Sequence, residues 1–235
     1  MVLLRRALTA LALLALAFAL GACANKEAEE RAAFIAFLQT RILDKPGVRV
    51  PRPTEAEKAS FGDYAQQYAV ITDFNAGMDK SISQPMSAII AKGSLRSIGD
   101  VVTRRDDVQT ARDALIAVRG ALDEQLAKAE AARAGFKQPD DVKAVFDKAY
   151  ERTVRTPAST VKEVFPAVDA VFGQALELAD FIKQNSGKIE ISGSSIQVRD
   201  PAVQARLNDM LQRLNSQSSA INAAQRKLQA VLRGS

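Results

Sequence analysis

The sequence predicts an all-α protein: an elongated, mostly antiparallel helical bundle with one small β-hairpin, carried behind an N-terminal targeting segment. Three observations predict it. Apolar residues recur at three-, four- and seven-residue steps over long stretches; capping residues and prolines punctuate those stretches; and period-two alternation is confined to 188–198.

The first element is a targeting signal. Met1 to Arg6 make a short positive start, and Ala7 to Leu20 is apolar apart from Thr9, the layout of a secretory signal peptide over residues 1–22. Leu20-Gly21-Ala22-Cys23 follows at once and resembles a bacterial lipobox. An aliphatic residue and two small ones let an extended backbone lie in a peptidase cleft, and the thiol of Cys23 is nucleophilic enough to accept a diacylglyceryl group. The alternative is an uncleaved anchor, since the uncharged stretch Ala7 to Ala24 would make about 27 Å of helix. The position of the sole cysteine, at the end of the apolar core, favours lipidation. Arg5-Arg6 lacks the remainder of a twin-arginine signal. With Ala24 and Asn25 after the cysteine instead of Asp, resemblance to enterobacterial lipoproteins implies the outer membrane, with the protein body in the periplasm.

Residues 23–53 then comprise the lipidated N-terminus, a first helix and a Pro-rich connector, and form one domain with the bundle at 54–235. Asn25 can cap a helix from Lys26 to about Leu43, with Phe34, Ile35, Leu38 and Ile42 on one side. Pro46, Gly47, Pro51 and Pro53 prevent its continuation. Thr54 and Glu57 have the capping-box spacing and open a helix whose apolar row is Phe61, Tyr64, Tyr68, Ile71, Met78 and Ile82, with Pro85 as its kink or end. A short piece from Met86 to about Ala91 follows, then a loop over Gly93 to Gly99.

A third helix, from Asp100 or Asp106 to Phe136, repeats Val108, Leu115, Leu122, Ala129 and Phe136 every seven residues, which is bundle spacing. Pro139-Asp140-Asp141 starts a fourth, with acidic residues at its positive end. Thr156-Pro157 marks the start of a fifth, running to about Gln184, with a kink or break near Glu163 because Pro166 lies inside it. Around Gly193-Ser194, a two-residue loop pairs Ile191 with Ile196 and Ile189 with Val198. Asp200-Pro201 caps a last helix with apolar rows Val203, Met210, Ala224, Val231 and Leu207, Leu214, Ile221, Leu228.

Composition narrows function. The 235 residues contain no His, no Trp and one Cys, which excludes Ser-His-Asp and Cys-His nucleophile pairs, Cys/His zinc sites and intramolecular disulfides. Lys and Arg number 32 against 27 Asp and Glu, interleaved along the chain, so the basic excess makes no stripe for nucleic acid. No cofactor or metal is implied.

Lys26-Glu27 with Arg31 to Leu38, the segment Phe61 to Met78, and Asp140 to Ala149 leading into Thr156-Pro157-Ala158 resemble the YiaF-like family of uncharacterised proteobacterial lipoproteins. The likeness spans most of the mature chain to about Val198 and weakens over Met86 to Gln109 and in the last helix. It implies a lipidated, single-domain envelope protein and brings no catalytic residues with it.

The candidate sites each have a bland counterpart. Asp106-Asp107 and Asp140-Asp141 could be paired carboxylates, but neighbours on a helix point about 100° apart, and both pairs sit where helix starts need negative charge. Phe61, Tyr64 and Tyr68 could form an aromatic platform for a planar ligand, or simply core. Asn75 and Gln217 fall in otherwise apolar rows and could be a register-fixing polar pair, the lining of a cavity, or a sign that the row's phase differs. Gly93-Ser94 and Gly193-Ser194-Ser195 lack the spacing of phosphate loops. The leading expectation is a non-catalytic, lipid-anchored module that holds the membrane through N-terminal acyl chains and binds another envelope protein or the cell wall. A carrier or sensor of an apolar ligand in a helical cavity is the alternative, ahead of an enzyme using carboxylates or a hydroxyl.

Overall fold

The computed structural model describes residues 25–92, 97–192 and 195–234; Leu20, Gly21, Ala22, Cys23 and the Gly193-Ser194 turn lie outside the described residues. Helix α1 is already formed at Asn25, whose side chain reaches Glu29 instead of capping. It runs over 25–38 and ends in a wide π-helical turn, Gln39–Leu43. The connector leads to α2 (Glu55–Phe61), where Thr54 and Glu57 form the full reciprocal capping box.

The expected single helix from Thr54 to Pro85 is broken once. Gly62 takes φ +54°, and a Cβ there would strike the Glu30 carboxylate of α1; the chain turns at Gly62-Asp63 and α3 (Tyr64–Met78) begins. A second π-turn, Asp79–Ser83, carries α3 into α4 (Gln84–Lys92). Ser97 and Asp100 box the start of α5 (Ile98–Thr103), and α6 (Arg105–Ala134) follows.

The largest departure from expectation is at Thr156-Pro157. These residues do not separate two helices: α7 (Asp140–Tyr150) passes through a π-turn, Glu151–Arg155, into α8 (Thr156–Gln184). The three wide turns share one setting. Each precedes a proline by two or three residues, Pro46, Pro85 and Pro157, and in each the next amide reaches back five residues, Asp44 to Gln39, Gln84 to Asp79 and Thr156 to Glu151. Proline lacks an N–H and crowds the carbonyl four residues back; at Pro85 and Pro157 widening the turn relieves that crowding without ending the helix, whereas α1 ends at its wide turn, before Pro46. Pro166 is likewise carried inside α8, which neither breaks nor stops at Glu163. Its ring lies on the exposed face, where water can take the carbonyl it leaves unbonded.

The path from Asp140 to Gln184 is thus about 65 Å of helix. Strands β1 (Ile189–Ser192) and β2 (Ser195–Val198) pair antiparallel in the expected register, Ile189 with Val198 and Ile191 with Ile196. Asp200 accepts from the amides of Ala202 and Val203 to cap α9 (Pro201–Arg233). Helix α6 lies antiparallel to the α7–α8 path, pinned by Arg105–Asp180, Arg112–Asp169, Lys162–Asp123, Arg155–Glu130 and Arg133–Asp147. As the α6 number rises its partner's number falls by a comparable amount, the signature of two antiparallel helices side by side.

The main core joins Phe34, Leu38 and Ile42 of α1 to Phe61, Tyr68, Ile71, Leu115, Leu122, Val142, Phe146 and Ala158. A second core at the far end holds Leu178, Ile182, Ile189, Val203, Leu207 and Met210. Beyond Met210 the apolar rows of α9, which packs on α8, are only half-buried at Leu214, Ile221, Leu228 and Val231.

Candidate functional site

The aromatic platform does not form. Phe61, Tyr64 and Tyr68 are 2%, 7% and 1% exposed, with Phe34 stacked on Tyr64 at 5.4 Å and Phe37 edge-on to Tyr68 at 5.2 Å. Their row faces α1, whose phenylalanines take the ring faces a ligand would need. Tyr64 donates to Glu27 at 2.8 Å and Tyr68 to the Pro51 carbonyl at 2.6 Å, and burial pushes the Tyr64 hydroxyl up to about 12. Asn75 is exposed and Phe74 takes the buried position beside it, so Asn75 and Gln217 make no buried polar pair.

The acidic pairs serve helix starts. Asp106 and Asp107 lie in the first turn of α6, Asp107 with Arg104 at 2.9 Å; Asp140 and Asp141 open α7, Asp141 facing Arg31 at 3.5 Å. Among the described residues no three metal-ligating side chains converge. The carboxylates between α6 and α8 are held ionised: hydrogen bonds from Arg112, Arg105 and Arg155 lower Asp169, Asp180 and Glu130, while burial that would raise Asp147 is offset by Lys143 and Arg133.

What the sequence reading missed lies where the connector, the α7–α8 junction and the end of α9 meet. Arg152 on the third wide turn donates to the carbonyls of Leu43 at 2.7 Å and Gly47 at 3.0 Å, and also to that of Lys45. One guanidinium thereby satisfies the last carbonyls of α1 and folds the connector over the helix junction. Gly47, at φ +70°, is the contact point for α9: the Val48 amide bonds the Leu232 carbonyl at 3.2 Å, and a Cβ on either Gly47 or Gly234 would strike the opposing backbone. Lys227 pairs with Glu163 just before this clasp.

Between the connector and the α9 terminus runs an open groove of about 720 Å³, with Val48, Ala230 and Val231 as its apolar part and Lys148, Glu151 and Arg152 along the helix junction. Val48 also borders a second depression of about 430 Å³, lined by Arg41, Lys45, Arg49 and Pro51. A buried Tyr150 lies one residue from the groove, its ring between Arg133 at 5.1 Å and Arg155 at 5.6 Å and its hydroxyl pushed up to about 12 by burial. No sequence period announces this site, since it gathers residues some 190 positions apart.

Fold and groove together define a class: a helical-bundle protein whose recognisable feature is a surface depression at a joint between helices. The chain belongs to the DUF3053 family of proteins of unknown function, whose model matches residues 11–229. It is similar to the "Uncharacterized protein YiaF" of Escherichia coli strain K12 and of Shigella flexneri, 28% identical over 188 residues, covering 80% of this chain and 79% of each relative. No solved structure matches.

Proposed function

We propose that this protein is a lipid-anchored envelope lipoprotein facing the periplasm, working by binding or scaffolding and not by turnover. The observation that carries the reading is the placement of Leu20-Gly21-Ala22-Cys23 directly before a helix already formed at residue 25. A cysteine so placed would leave one residue between lipid and bundle. Acyl chains there contribute about 0.8 kcal/mol per buried methylene, so two or three hold the chain on its membrane. Among the described residues no helix is long and apolar enough to cross a membrane. Binding is favoured over catalysis because the carboxylates that face other helices are paired with guanidinium groups and held below their ordinary range, the reverse of what a general acid near neutral pH requires. The outer membrane is the expected leaflet, from Ala24 and Asn25 after the cysteine.

The test is metabolic labelling with a clickable palmitate analogue, followed by membrane fractionation. The native chain is expected to be labelled and to fractionate with the outer membrane, and Cys23→Ser to lose both label and processing. A labelled, membrane-bound, processed Cys23→Ser chain overturns the reading.

A further inference from the structure

We propose that the groove and the adjoining depression on either side of Val48 form one docking surface, and that its occupant is an acidic amphipathic segment of a partner protein. The inference rests on the binding-module reading and adds the surface and the chemistry of the partner.

Charge distribution carries it. Residues lining the two depressions include six cations, Arg41, Lys45, Arg49, Lys148, Arg152 and Lys227, against two carboxylates, Asp147 and Glu151. After residue 6 the chain has 30 Lys and Arg against 27 Asp and Glu, +3 in all; the lining holds +4, or +2 once Glu57 and Glu163, the partners of Arg41 and Lys227, are counted with it. Most of that positive excess therefore sits at this one place.

Three of these cations are also available, whereas Arg41 and Lys227 pair with Glu57 and Glu163 and Arg152 is held by three carbonyls. Elsewhere the basic residues between helices are spent on partners, as in the α6–α8 pairs. Among the described residues Lys45, Arg49 and Lys148 are exposed and make no ion pair, while the two carboxylates are engaged, Asp147 by Arg133 and Lys143 and Glu151 by Arg155 at 3.7 Å. Free cations beside occupied anions present a positive potential to any approaching chain.

The apolar part selects among anionic occupants. Val48, Ala230 and Val231 line the groove, and Leu232 beside them is 50% exposed, which a phosphate-rich or sugar chain would not use. Concavity argues against a flat bilayer. An acidic segment with spaced apolar side chains satisfies both features, its carboxylates over Lys45, Arg49 and Lys148 and its apolar side chains in the groove. The chain's own acidic stretch, Glu27 to Glu30, is not that occupant, because α1 is built into the core and its Glu27 and Glu30 already face Tyr64 and Lys26.

The experiment uses the full chain in phosphatidylcholine nanodiscs and a short fluorescein-labelled peptide of Glu, Asp and Leu, read by anisotropy. Saturable binding that weakens as salt rises is expected. Reversing Lys45, Arg49 and Lys148 to Glu together should weaken it at least tenfold, and Lys148→Glu alone about threefold. Reversing the exposed Lys80, Arg119 and Lys137 together should change it less than twofold. An all-Glu peptide should bind at least fivefold more weakly, as should Ala230→Asp with the original peptide. Circular dichroism establishes that each variant is folded, and the single Lys148 variant decides the matter if the triple does not fold. The proposal is overturned by equal loss in the two triple variants, by absence of saturable binding, by indifference to the leucines, or by phosphatidylglycerol vesicles displacing the peptide where phosphatidylcholine vesicles do not. The last result would assign the surface to a membrane. Any of these outcomes leaves the acylation test untouched, and loss of acylation leaves the groove untouched.

Discussion

Arg152 shows how much one side chain can organise. Its three carbonyl partners, at Leu43, Lys45 and Gly47, all come from the end of α1 and the connector, about 105 residues earlier in the chain. Removing it leaves those carbonyls to water or to nothing, so Arg152→Ala should cost about 1–3 kcal/mol in urea unfolding. Lysine keeps the charge but lacks the planar fork, so Arg152→Lys should recover only part of that loss. Equal stability of both variants with the native chain would mean that the connector folds without the clasp. Gly47 acts beside it for a different reason: at φ +70° and against the Leu232 carbonyl, it has neither the backbone freedom nor the space for a side chain.

At the scale of elements, α9 divides into two halves. Its first half is anchored by Val203, Leu207 and Met210 in the far core, whereas Leu214, Ile221 and Leu228 stay half-exposed on α8. Leu207→Ala should therefore cost about 2–5 kcal/mol, and Ile221→Ala about half as much, since part of its surface already meets water. Comparable losses measured by urea unfolding would show that something further covers the second half.

The pairing of α6 with α7 and α8 responds to acid. Asp169, Asp180 and Glu130 have folded pKa values below the unfolded ones, so the stability they add is present above about pH 4 and is lost as pH falls through the depressed values. Their partial exposure makes each pair's share small. A urea midpoint that falls between pH 5 and pH 2.5, with Asp169→Asn flattening the fall, is the expected result; a midpoint independent of pH over that range would refute it.

The whole molecule is built as a continuous helical path of about 65 Å from Asp140 to Gln184, with one core near each end. The start of α1 and the start of α7 lie together, through Arg31 and Asp141, and the hairpin lies at the other end of the path. A chain tethered at Cys23 would hold its hairpin well away from the lipid and its groove between the two. Small-angle scattering of the chain in nanodiscs should give a protein dimension extending at least about 60 Å from the disc surface. A protein layer under about 35 Å thick would mean the bundle lies flat.

Much of this was legible in local chemistry. The Thr54 box, the Asp200 cap, the Ile189–Val198 register and the core rows of α1 and α6 follow from residue types at fixed spacing, because capping, pleating and burial of one helix face act over a few residues. The composition likewise determined which site chemistries the chain lacks. Only the tertiary structure decided what the prolines do, which face of Tyr64 and Tyr68 is covered, and where the charges gather. Proline announces a lost hydrogen bond but not whether packing on both sides will hold a widened turn together, as it does from Tyr150 to Thr156. An aromatic row announces burial but not its partner. And Val48, Lys148 and Val231 become neighbours only when Arg152 draws the connector onto the joint, a contact between distant residues that no local pattern encodes.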